Sequence, residues 1–83
     1  MAKDMSTQIK VLVANRIREI RVKRGFSQES LALEAGLDRT YINSVENGRR
    51  NISIQSLAKI TNALETSFKE FFSNSTFNKQ GLY

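Results

Sequence analysis

The sequence predicts an all-α domain of five short helices, on three observations. Apolar residues recur at steps of three and four in successive stretches, and no stretch alternates with the two-residue period of a strand. Glycine or a helix-capping serine or aspartate marks the intervals between those stretches. The 83 residues contain no proline, which suits helices joined by short connections. This length makes one small domain, whose single core is marginal and for which oligomerisation is a common remedy.

The elements follow in order. Ile9, Val13, Ile17 and Ile20 lie on one stripe of a helix over 8–24, which Val11, Leu12 and Val22 are expected to widen. Gly25 ends it, and Ser27 caps a second helix over 28–35, with Leu31, Ala32 and Ala35 facing inward. Gly36 and Leu37 make the turn. Asp38 caps a third helix over 39–46, with Ile42 and Val45 inward, and Asn47-Gly48 ends it, since both residues tolerate the left-handed conformation. Residues 49–52 connect to a fourth helix, roughly 54–64 and capped by Ser53, which carries Ile54, Leu57, Ala58, Ile60, Ala63 and Leu64. Ser67 caps a last helix carrying Phe68, Phe71 and Phe72. Residues 1–72 are therefore expected to form the domain, and 73–83 a polar, flexible tail.

Composition narrows the chemistry. With no cysteine and no histidine, disulfides, the usual zinc sites and imidazole acid–base catalysis lose their residues. No Gly-rich phosphate loop is present, so an enzyme is not expected, nor a metal or other cofactor. No apolar run reaches the roughly 18 residues of a membrane span. The first ten residues lack the apolar core of a signal peptide, so a cytoplasmic protein without a membrane partner is expected. The net charge is +5, and the pI of about 10 favours an acidic partner, most simply nucleic acid. Eight basic residues face five acidic ones between positions 16 and 50.

Residues 27–48, SQESLALEAGLDRTYINSVENG, carry the functional expectation. A short helix, a glycine turn and a second short helix make a helix-turn-helix, whose second helix enters the major groove of DNA. With Ile42 and Val45 turned inward, Arg39, Thr40, Asn43 and Ser44 form the outer face. Arginine can bond guanine O6 and N7 together, and a threonine methyl can touch the thymine methyl. Taken singly, each also suits an ordinary solvated helix. Gln28 would bond a phosphate and brace a reading side chain. Asn47, Arg49, Arg50 and Asn51 would line the DNA backbone, which orients a protein without conveying sequence. Arg21 and Glu46 are expected to form a buried ion pair joining the first helix to the third, and so to serve structure.

The run RIREIRVKRGFSQESLALEAGLDRTYINSVENG resembles the lambda-repressor-like, or XRE-type, helix-turn-helix family over residues 16–72. Residues 37–57, LDRTYINSVENGRRNISIQSL, are similar in particular to the controller proteins of bacterial restriction–modification systems. The resemblance implies base readout by Arg39, Thr40, Tyr41 and Arg50, beside Asn43 and Ser44. It implies phosphate contacts by Gln28, Asn47 and Asn51, with Ser27 and Arg49 beside them. It implies a homodimer on a pseudo-palindromic operator, which activates its own promoter and then represses it, and no small-molecule ligand. Two-fold symmetry sets two reading helices about 34 Å apart, one turn of DNA. Leu64, Phe68 and Phe72 are the candidates for the dimer interface. Activation needs contact with RNA polymerase, for which Glu29 and Glu34 are candidates. A phage or mobile-element repressor, and an antitoxin that neutralises a protein toxin, are the alternatives.

Overall fold

The computed structural model describes residues 5–73 and residue 77. Five helices follow one another: α1 (Met5–Lys23), α2 (Gln28–Ala35), α3 (Arg39–Glu46), α4 (Ile54–Ala63) and α5 (Phe68–Phe72). Among the described residues there is no strand. The observed starts of α2 to α5 coincide with the positions after Ser27, Asp38, Ser53 and Ser67. Each of those residues is extended, and its side chain accepts a backbone N–H of the helix it opens. Such caps satisfy donors that have no partner inside the helix.

The turn between α2 and α3 is held by Gly36, at φ 71°, while the Leu37 amide donates to the Ala32 carbonyl at 2.8 Å. A side chain at Gly36 would impose left-handed strain on the turn that sets the angle between the two helices. Helix α3 ends at Asn47 and Gly48, as expected. Asn47 stands at φ −90° and only Gly48 is left-handed, at φ 70°. One left-handed residue is enough to reverse the chain, and Gly48 also faces Val11, whose Cγ2 would lie 3.6 Å from an added Cβ.

The core joins Val13, Ile17 and Ile20 of α1 to Leu31 and Ala35 of α2, Ile42 and Val45 of α3, Leu57 and Ile60 of α4, and Phe71 of α5. Each fully buried side chain of this size contributes about 1.5–3 kcal/mol. Val11 and Val22 do not widen the buried stripe and are exposed. Each lies two residues from a core position, roughly 200° around the helix, and so points away from the stripe. Ile54 is exposed as well, in the first turn of α4.

Two expectations are corrected at the C-terminal end. Leu64, assigned to a dimer interface, is fully buried within the chain and offers no surface to a second copy. Phe77, assigned to the polar tail, is buried in the core. Its ring lies 5.1 Å from that of Phe72 and 6.4 Å from that of Phe71. The rest of the expected tail beyond Ser73 lies outside the described residues.

Arg16 ties α5 to α1. Its guanidinium donates to the carbonyls of Phe71 (2.7 Å) and Glu70 (2.8 Å), at the end of α5 where helical carbonyls lack partners, and it pairs with Glu19 at 3.1 Å. At the other end of α5, Glu70 closes a capping box with Ser67. The Ser67 backbone N–H, donating to the Glu70 carboxylate, holds that carboxyl below the usual glutamate range.

Candidate nucleic-acid interface

Along helix α3, Ile42, Val45 and Glu46 are buried, while Arg39, Thr40 and Asn43, and Asn47 at its C-cap, are exposed. Arg39, Thr40 and Asn43 line one shallow concavity. Ser44 is half-buried, and its carbonyl accepts the Arg49 amide at 3.1 Å. Tyr41 packs half-buried against the core, and the Arg50 guanidinium sits over its ring, 4.9 Å from the centroid. This cation–π contact fixes the loop after α3 beside the helix. Arg50 and Asn51 also line a small cleft with Ile9 and Lys10 of α1. The Tyr41–Arg50 pair thus joins α3 to the following loop, while Arg39, Thr40 and Asn43 share their own concavity.

Beneath it lies a buried carboxylate. The side chain of Glu46 is 0% exposed. Arg21, 13% exposed, donates from Nε to Glu46 Oε2 at 2.6 Å and from Nη2 to Oε1 at 3.0 Å. Its Nη1 reaches the Phe26 carbonyl at 2.8 Å, so one guanidinium joins α1, the α1–α2 turn and α3. Two planar pairs of this kind are the geometry in which arginine binds carboxylates best. Arg18 also approaches Glu46, at 3.6 Å, which the sequence reading did not assign. The signal was present, since Arg18 and Arg21 are three residues apart and share a helix face.

The carboxylate extends outward through amides. Gln28 Nε2 donates to Glu46 Oε1 at 3.1 Å, Asn43 Nδ2 donates to Gln28 Oε1 at 3.2 Å, and Asn47 Nδ2 donates to Asn43 Oδ1 at 3.1 Å. Gln28 is thus bonded to a residue of the outer face, Asn43. The Ser27 hydroxyl is engaged in its own cap, bonded to the Ser30 amide at 2.9 Å and to the Ser30 hydroxyl at 3.0 Å. Arg49 and Asn51 are exposed beside α3. Of the remaining interface candidates, Phe68 is 40% exposed and borders an open groove along α4 with Ala58, Asn62 and Thr66. Phe72 is half-buried between Phe71 and Phe77.

The pattern of the helix-turn-helix family matches residues 17–71. The chain belongs to the helix-turn-helix family. Within it, this helix-turn-helix protein is 43% identical over 67 residues to Control protein C.MunI from Mycoplasma sp, covering 80% of this chain and 90% of that protein. Its fold is similar to the crystal structure of the restriction–modification controller protein C.AhdI from Aeromonas hydrophila. The TM-score is 0.75 and the identity 42%, over 78% of this chain and 98% of that one. It is also similar to the controller protein C.Esp1396I, solved as a tetramer in complex with its natural 35-base-pair operator. There the TM-score is 0.77 and the identity 39%, over 90% of this chain and 96% of that one. No helix among the described residues is long and apolar enough to cross a membrane.

Proposed function

We propose that this helix-turn-helix protein is a cytoplasmic restriction–modification controller. As a homodimer it binds a pseudo-palindromic operator, activates its own promoter, and represses it when a second dimer fills the neighbouring site. The observation that carries the reading is the outer face of α3, where Arg39, Thr40 and Asn43 open onto one concavity while a buried ion pair fixes the helix beneath them. The protein works by binding, without a catalytic centre, a cofactor or a small-molecule ligand.

Arg39, Thr40, Asn43 and Ser44 read bases, with Tyr41 and Arg50 at the edge of the same face. Gln28, Asn47, Arg49 and Asn51 contact phosphates. Ser27 acts there through its position at the start of α2, because its hydroxyl is occupied by the cap. Glu29 and Glu34, exposed on α2 on either side of the exposed Leu33, are the contact to RNA polymerase. Residues 1–72 supply DNA binding and dimerisation, and Phe77 adds its ring to their core.

Binding to the DNA upstream of its own gene, at one stated salt concentration, tests the reading. Arg39→Ala should relax preference at a single base position by about 1–3 kcal/mol, whereas Asn47→Ala should weaken all sequences alike. No protected site upstream of the gene would refute the controller assignment. Phe68 is the apolar anchor of the dimer, since it is exposed beside the α4 groove. Sedimentation of Phe68→Ala should show a weakened dimer, and an undiminished one removes Phe68 from the interface.

A further inference from the structure

The amides between Glu46 and the outer face of α3 have only one workable direction. A carboxylate accepts hydrogen bonds and cannot donate them. Gln28 must therefore turn its NH2 group to Glu46, at 3.1 Å, and present Oε1 outward. An amide oxygen likewise only accepts, so Asn43 must turn its own NH2 group to Gln28, at 3.2 Å. The Asn43 oxygen then faces Asn47, which donates to it at 3.1 Å. The reversed chain would press the Gln28 oxygen against the Glu46 carboxylate, two acceptors with no proton between them. Arg21 holds that carboxylate in place by two bonds of 2.6 and 3.0 Å.

We propose that Glu46 is a positioning residue for base selection, acting through Gln28 to fix which way the Asn43 amide faces. The proposal rests on the reading of α3 as the helix that enters the major groove. Asn43 has one N–H and one oxygen lone pair beyond those used by Gln28 and Asn47, and it lines the concavity shared with Arg39 and Thr40. That donor–acceptor pair matches the major-groove edge of adenine, which offers N7 to a donor and an N6 proton to an acceptor. An Asn43 amide free to rotate presents the two groups in either order and loses part of that discrimination. The buried ion pair thus has a second effect, on the sequence read at one base pair.

The test is binding of the full-length protein, at one salt concentration, to duplexes carrying each of the four base pairs at every operator position in turn. Asn43→Ala identifies the pair that Asn43 faces, where the intact protein should prefer adenine about tenfold. Gln28→Met breaks the chain of amides but leaves Arg21 on Glu46. Glu46→Gln keeps a hydrogen-bonding side chain without a fixed polarity, and is measured where circular dichroism shows it folded. Both should reduce the preference at that one pair to about twofold or less, beyond any uniform loss of affinity from phosphate contacts. Uniform weakening by Gln28→Met, with the preference intact, overturns the relay while leaving Asn43 as a reader. Relaxation by Gln28→Met but not by folded Glu46→Gln overturns the role of Glu46. If Asn43→Ala alters no preference at any position, readout by Asn43 fails and the relay fails with it.

Discussion

Arg21→Ala should lower the unfolding free energy by about 3–5 kcal/mol in urea or guanidinium titrations, the cost typical of removing one member of a buried ion pair. The size follows from what remains. Glu46 has a side chain with no exposure, so its carboxylate cannot recover water when the guanidinium is removed. It retains Gln28 at 3.1 Å and the half-exposed Arg18 at 3.6 Å, neither of which reaches both oxygens as Arg21 does. The Phe26 carbonyl loses its 2.8 Å donor at the same time. Domains of this kind hold about 5–15 kcal/mol in total, so the variant should populate unfolded chain under mild conditions. Arg21→Lys should recover only part of the loss, because an ammonium lacks the planar fork that spans two oxygens. Arg18→Ala supplies the contrast, at about 1 kcal/mol or less, since its side chain is 51% exposed and screened by solvent. Equal losses from Arg18→Ala and Arg21→Ala would contradict the central place given to the second.

Phe77→Ala should cost about 3–5 kcal/mol, the range for truncating a buried phenylalanine. Its ring is 1% exposed and meets Phe72 edge-on at 5.1 Å, with Phe71 behind at 6.4 Å. Deleting it opens a cavity beside α5, a helix of only five residues that holds little structure by itself. Arg16 would keep its bonds to the end of α5, so the helix should loosen at Phe72 before it detaches. Thermal unfolding beside Phe72→Ala checks this. A change within a few tenths of a kcal/mol would place Phe77 outside the core.

The parts of this fold that were legible in the sequence are those written in local chemistry. Ser27, Asp38, Ser53 and Ser67 announced four helix starts, because a cap acts on the residues directly after it. Ile17, Ile20, Ile42 and Val45 were legible from spacing alone. The pairing of Arg21 with Glu46 was readable from the helix faces, although 25 residues separate them. Phe77 was not, since a lone aromatic in a polar, aperiodic run defines no face. Leu64 misled for the opposite reason. It continues the stripe of α4, and spacing does not distinguish an apolar residue that meets its own chain from one that meets a copy. Within the interface, the outward positions of α3 followed once Ile42 and Val45 were placed. The bond between Gln28 and Asn43 depends on the angle set by Gly36, and the stacking of Arg50 on Tyr41 depends on the path of the following loop.

The arginines of α1 and the turn after it bear on how binding responds to ionic strength. Arg16, Arg18, Arg21 and Arg24 all bond to carbonyls or carboxylates of this same chain. Such cations hold the protein together and displace few ions from a duplex. Counterion release on binding DNA grows with the number of phosphates neutralised, not with the formal charge of the protein. On the proposed reading, the count that matters is set by Arg49, the cation assigned to the phosphates, and is doubled in the proposed dimer. The expected result for a basic chain that spends these arginines internally is a gentler dependence of DNA binding on salt than its pI suggests.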